Sequence, residues 1–206
     1  MSSPSTSCDR ELSPRVQRRL CTFGLVTIEP ETKSWMWVLE RECDECGFDS
    51  RAFPSSEIAV LARDAGEPWP SLLANPLVRL RPRDDRWSAL EYACHVRDAF
   101  RLGCYRVQRM LQEDGPKFDN WDQDATAVDD HYDREDPLVV AADLVAAASA
   151  FADLYDRVST DQWDRTGLRS DGSLFTVDSF GRYFVHDPMH HIVDVQRGYD
   201  ALHKAR

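Results

Sequence analysis

Three of the chain's six histidines and two aspartates stand inside one apolar run, Phe184–Val195: His186, Asp187, His190, His191 and Asp194. Imidazoles and carboxylates are ligands for divalent transition-metal ions, and at helical spacing they can converge on one ion. Two i, i+4 pairs compete here, His186/His190 and Asp187/His191. On an ideal helix, Phe180, Phe184, Ile192, Val195 and Leu202 form an apolar stripe. Asp187 and His191 fall at the edge of that stripe and point toward a core. His186 and His190 fall away from it. Pro188 lies within the motif, and a kink there could rotate the helix and exchange the two pairs.

The remaining ligand must come from another element. His95 is the candidate, with Tyr92, Ala99 and Leu102 on its own helical face. His95, Asp187 and His191 would give two imidazoles and one carboxylate, a set that suits Zn²⁺, Ni²⁺ or Fe²⁺. Three protein ligands leave positions for water or substrate, which is the catalytic pattern; a structural zinc is normally closed by four. His190 and Asp194 are then candidates to orient a ligand from behind.

Four helical segments position these residues. The first spans about Ser55–Ala74, interrupted near Gly66 and Pro68. The second, about Ser88–Glu113, opens on the capping-box pattern Ser88-Ala-Leu-Glu91 and carries His95. The third, about Pro137–Val158, is alanine-rich with proline in its first turn. The fourth, about Thr176–His203, carries the histidine motif. The segment Asp114–Asp136 between the second and third is acidic and reads as a solvated loop; connections that long usually serve function or are disordered. Its Trp121 and Asp122 are candidates to cover the open metal positions. The pattern predicts an all-α protein, an antiparallel four-helix bundle with a long crossover connection, over residues 51–206. Residues 1–50 read as an extension, loose at first. Cys21–Glu29 and Trp35–Leu39 could pair there as a short hairpin, although Trp35–Leu39 could equally begin a helix.

A formal net charge of −11 argues against nucleic acid or an anionic membrane as a general partner. No apolar run reaches the roughly 20 residues of a membrane helix, and the N-terminus has no secretory pattern. These features predict a cytoplasmic protein acting on a small molecule, with its six cysteines reduced. Cys43-Asp-Glu-Cys46-Gly47 is half of a zinc knuckle, and Cys8 and Cys21 are poorly spaced to complete it. The plain reading is a turn with Gly47 in a left-handed conformation. His131, Arg165, Arg169 and Arg182 read as surface residues.

Two motifs carry a family resemblance. The stretch from Trp87-Ser88 to His95 resembles the second-helix signature of the DinB superfamily, which includes the mycothiol-dependent maleylpyruvate isomerases. Asp187-x3-His191-x2-Asp194 resembles its C-terminal ligand motif, with Asp standing where the family has Glu or His. The resemblance covers roughly residues 54–200 and implies a crossover four-helix bundle with a metal on His95, Asp187 and His191. It further implies a metal-dependent thiol S-transferase or isomerase that uses a low-molecular-weight thiol such as mycothiol on a small electrophile. The competing expectation is a non-catalytic small-molecule-binding or stress-response protein whose metal is structural or vestigial.

Overall fold

The computed structural model describes residues 35–205. Cys8, Cys21 and the strand expected over Cys21–Glu29 lie outside the described residues. Trp35–Leu39, its proposed partner, forms a 3-10 turn over Met36–Leu39 rather than a strand. A second 3-10 turn, Ser55–Glu57, leads into α1 (Ile58–Gly66), and α2 (Trp69–Leu73) follows after the break at Pro68. Gly66 fits its place because a Cβ there would stand 2.7 Å from the Cβ of Ala148.

Helix α3 (Ala89–Gln112) begins as its capping box predicts. The Ser88 N–H donates to Glu91 Oε2 at 2.8 Å, and the Glu91 N–H donates back to Ser88 Oγ at 3.3 Å. The connection after α3 holds β1 (Lys117–Phe118), α4 (Gln123–Asp129) and a 3-10 turn, Tyr132–Arg134. Helix α5 (Pro137–Tyr155) is capped by Asp136. Then come β2 (Thr166–Arg169), β3 (Leu174–Thr176) and α6 (Val177–Lys204), the last opened by a Thr176/Ser179 capping box.

α1 packs against α5 and α6, and α3 packs against the same two helices. Around the bundle the order is therefore α1, α5, α3, α6, so the links from α1 to α3 and from α5 to α6 cross its diagonal. A three-stranded sheet, invisible in the sequence pattern, ties two of the connections together. β1 runs parallel to β2, pairing Lys117 with Leu168, and β2 runs antiparallel to β3, pairing Gly167 with Phe175. The core between the helices is aromatic: Phe151 stacks on Phe184 at 4.4 Å, with Phe100 and Phe180 beside them.

The connection 114–136 is largely exposed, as its acidity predicts, but it is pinned to the bundle at Pro116, Phe118 and Tyr132. Tyr132 is fully buried, and its hydroxyl donates to Asp98 Oδ2 at 2.7 Å, a carboxylate also held by Arg97 and Arg101. α5 also corrects the reading that no segment is long and apolar enough to span a bilayer. It is 19 residues of mean hydropathy 1.7, with half of that stretch buried inside the fold. Its packing against α1 and α3 accounts for the composition: a helix in the middle of a bundle is apolar on several sides.

Residues 35–54 lie along α6. Arg182 donates to the carbonyls of Ser50 and Phe53 at 2.6 and 2.8 Å, and Arg197 donates to that of Glu45 at 2.6 Å.

Candidate metal centre

α3 and α6 are neighbours in the bundle, and their facing sides bring His95, Asp187 and His191 together. One ligand atom from each lies within 4.8 Å of the others. The Asp187 carboxylate stands between the two rings: Oδ2 is 3.4 Å from His95 Nε2, and Oδ1 is 3.4 Å from His191 Nε2. These are ion-pair separations rather than hydrogen bonds. Both ring nitrogens of His95, and Asp187 Oδ2, are buried with no hydrogen-bond partner. Buried polar atoms seldom go unsatisfied, and two of these, His95 Nε2 and Asp187 Oδ2, converge beside His191 as ligands of a cation would. α6 runs unbroken through Pro188 and keeps Asp187 and His191 on the bundle side.

A hydrogen bond fixes His191 from behind, with Nδ1 3.0 Å from Asp194 Oδ2, which turns Nε2 toward Asp187. Burial alone would depress the His191 imidazolium; the flanking Asp187 and Asp194 carboxylates override it and lift its pKa to about 9. Burial works against ionised Asp187 too, but His191 and His95 outweigh it and hold that carboxyl well below its usual range. Two carboxylates, Asp187 and Asp194, thus flank the His191 ring.

Beside the cluster lies a cavity of about 130 Å³, lined by His95, Asp187, Ala99, Gly103, Arg106 and Trp121 among others. His95, Ala99, Gly103 and Arg106 recur every three to four residues on one face of α3, and the two small residues leave room between the histidine and the arginine. Trp121 reaches over from the 114–136 connection and stacks on His95, with ring centroids 5.2 Å apart and planes 3° apart. A wider groove of about 550 Å³ shares Leu102, Arg106, Asn120, Trp121 and Arg169 with this cavity and adds Arg109 and Lys117.

Arg106 is the unusual member. It is 7% exposed, donates to the Asp119 carbonyl at 2.7 Å, and leaves Nε buried without a partner. It forms no ion pair with a carboxylate among the described residues. Burial and nearby Arg169 depress its pKa to about 10, so it stays charged at neutral pH.

The family model of the DinB superfamily matches residues 71–194, a span that holds His95, Asp187, His191 and Asp194. The chain belongs to the DinB superfamily. No curated protein matches it. Among solved structures it is similar to YfiT from Bacillus subtilis, described as "a probable metal-dependent hydrolase with an unusual four-helix bundle topology". That likeness is 20% in sequence with a TM-score of 0.52, over 83% of this chain and 93% of that one. At such identity it shows the fold.

On this DinB bundle the other expected residues fall as follows. Asp194 stands behind His191. His190 does not: its Nδ1 points to Cys43 Sγ at 3.7 Å, and with His186 it faces residues 35–54 on the outer side of α6. Trp121 covers His95, whereas Asp122 is spent as the cap of α4, accepting from the Ala125 N–H at 2.9 Å. Asn120 and Gln123 line the cavity instead. Arg165 and Arg182 hold backbone carbonyls, as structural residues do. Arg169, expected at the surface, is buried in the cavity wall with Asp171 and Tyr183. Sequence reading missed Arg106, whose only signal is its place on the His95 face of α3, three turns on.

Proposed function

We propose that this chain is a divalent-metal-dependent enzyme that adds a low-molecular-weight thiol, of the mycothiol kind, to a small anionic electrophile, as a thiol S-transferase or isomerase. The observation that supports this most is the open side of the donor cluster. His95, Asp187 and His191 supply three ligands, and the cavity beyond them ends at a buried guanidinium. A staple site would be closed by a fourth ligand and packed over.

Zn²⁺ suits two imidazoles and a carboxylate, and Ni²⁺ or Fe²⁺ fit the same donors. When bound, such an ion lowers the pKa of a thiol or water in its open position. The chain's residues do the rest. Asp194 holds His191 in one tautomer. Trp121 shields His95 from bulk water. Arg106 binds the anionic end of the electrophile and sets its reactive carbon toward His95. Ala99 and Gly103 give it room, and the wider groove takes the body of the thiol. In the reaction the thiol adds across an activated C=C bond of the electrophile: the S–H bond and the C=C π bond break, the sulfur bonds to the electrophilic carbon, and the proton goes to the neighbouring carbon. Rotation followed by elimination breaks the new C–S and C–H bonds and returns the thiol, leaving an isomer. No protein cysteine takes part, and a reducing cytoplasm suits the chemistry.

Water in place of the thiol gives a second reading, hydrolysis. The small volume beside His95, about 130 Å³, favours it, as does the description of YfiT.

The test is to load the purified protein with Zn²⁺, Ni²⁺ or Fe²⁺ and to offer carboxylated electrophiles with and without thiols, identifying products by mass. Thiol adducts or isomers that need both metal and thiol are expected. Turnover without thiol points to hydrolysis. A wild-type protein that binds no more metal than His95→Ala would end both readings.

A further inference from the structure

We propose that Cys43, Cys46, His186 and His190 form a second, closed site that holds a structural zinc ion and staples residues 35–54 to α6. This site is separate from the His95 cluster and does not depend on the function proposed above.

The Cys-x2-Cys-Gly turn supplies half of a zinc site, and the sequence offers no second cysteine pair spaced to complete it. The fold supplies an i, i+4 histidine pair instead. One ligand atom from each of the four residues lies within 4.8 Å of the others. Cys43 Sγ is 3.7 Å from His190 Nδ1. Zinc–sulfur and zinc–nitrogen bonds at a tetrahedral angle set that separation at about 3.6 Å.

The turn is built to present both sulfurs. The Cys43 N–H donates to the Phe48 carbonyl at 2.9 Å, and the Gly47 N–H donates to the Cys43 carbonyl at 2.8 Å. Gly47 has a φ of +75°, which few other residues adopt. The far nitrogen of His190, Nε2, has two carboxylates nearby at ion-pair separations, 3.6 Å from Asp194 Oδ2 and 3.8 Å from Glu45 Oε2. Its other nitrogen, Nδ1, is the one turned to Cys43 Sγ.

Three of the four ligands are enclosed as structural sites are: Cys43, His186 and His190 are 1%, 4% and 6% exposed, while Cys46 is half-buried at the rim. The Trp35 ring packs on both histidines, and Phe48 packs on His186. Neither cavity of the His95 centre includes any of the four.

The segment also needs a staple. Between residues 35 and 54 the regular structure is a single 3-10 turn, and the buried residues are Val38, Cys43 and Ser50. Segments with so little core fold when a metal or disulfide fixes them. Two sulfurs and two nitrogens in tetrahedral array select zinc among common ions.

Elemental analysis of the full chain, purified with zinc, should give two equivalents. Cys43→Ser/Cys46→Ser and His95→Ala should each lose one, and a different one. Replacing zinc by Co²⁺ separates them: thiolate-to-cobalt absorption in the near ultraviolet should appear in the wild type and in His95→Ala, and vanish in the double cysteine variant. Should that variant fail to fold, the wild type alone decides. Peptide-resolved alkylation should find Cys43 and Cys46 at least tenfold slower with zinc than after chelation. A Cys43–Cys46 disulfide in protein purified without oxidant, equal alkylation with and without zinc, or a cobalt spectrum without thiolate bands would overturn the proposal.

Discussion

His190 and His191 are neighbours in the chain, yet their rings face different candidate ligand clusters on adjoining faces of α6. The ring centroids are 5.9 Å apart and the planes 81°. A helix turns about 100° per residue, so consecutive side chains point to different faces. The motif His186-Asp187-x2-His190-His191 is therefore two interleaved i, i+4 pairs. The outer pair faces Cys43 and Cys46, the inner pair faces His95, and the Asp194 carboxylate lies within reach of both rings, 3.0 Å from His191 Nδ1 and 3.6 Å from His190 Nε2.

Asp194→Asn tests that position. It is expected to weaken metal binding at the His95 cluster by about 10–100-fold, the usual cost of removing a carboxylate that orients a ligand, and to weaken the outer cluster less, since Glu45 remains near His190. Competition with chelators of graded affinity reads both. Equal affinities in variant and wild type at both clusters would mean Asp194 orients neither ring.

Arg106→Gln tests substrate binding. A charge-assisted hydrogen bond is worth about 1.5–3 kcal/mol, so KM for an anionic electrophile, or Ki for an anionic inhibitor, should rise about 10–100-fold. Metal content should not change. Stability should hold or rise, because the variant removes a buried guanidinium that has no carboxylate partner among the described residues. A fall in melting temperature with unchanged KM would assign Arg106 to the fold instead.

Much of this arrangement was legible in the chain, and the gaps have physical causes. The start of α3 is readable because Ser88 and Glu91 close its first turn by their own side chains, whereas the Thr176/Ser179 cap of α6 lacks the Glu or Gln that marks such a box in sequence. The inner pair was readable because Asp187 and His191 lie at the edge of an apolar stripe. The outer pair was not: periodicity says which residues share a face but not what covers it. His186 and His190 fall away from the apolar stripe, and it is residues 35–54 that cover them. The sheet was hidden because β1 has two residues and β3 three, too short for any alternation to register. Arg106 was hidden because an arginine on a helix is ordinarily solvated, and only the tertiary fold buries it.

Trp121 shields the inner cluster without contributing a ligand, which separates the rate of metal loss from the number of ions held. Trp121→Ala should keep the wild-type stoichiometry. It should release the ion of the His95 cluster to excess chelator about tenfold faster, an opening on the scale of one lost ring contact of about 1–1.5 kcal/mol. Stopped-flow with a chromogenic chelator measures this, with Cys43→Ser/Cys46→Ser as background so that a single site is followed. An unchanged release rate would mean the connection 114–136 does not gate the cluster.

The acid limb of stability should trace in part to the start of α3. Glu91 is 4% exposed, accepts from the Ser88 N–H and pairs with both Arg81 Nε and Nη2. Burial pushes its carboxyl up, but the Arg81 guanidinium and the Ser88 donors outweigh this and hold it below its ordinary value. A carboxyl depressed by folding adds stability that is complete above its unfolded pKa of about 4.3 and is withdrawn as pH falls through the lower folded value. Glu91→Gln keeps an oxygen for the Ser88 N–H but removes the charge and turns the Oε1 acceptor facing Arg81 into a donor. The variant should be about 1–2 kcal/mol less stable than wild type in urea at pH 6, and the gap should narrow as pH falls below the unfolded pKa and through the depressed folded value. The difference between the two curves cancels every other titrating group that behaves alike in both. A gap that stays constant from pH 6 to pH 3 would assign the loss to cap geometry rather than to the Glu91–Arg81 charge pair.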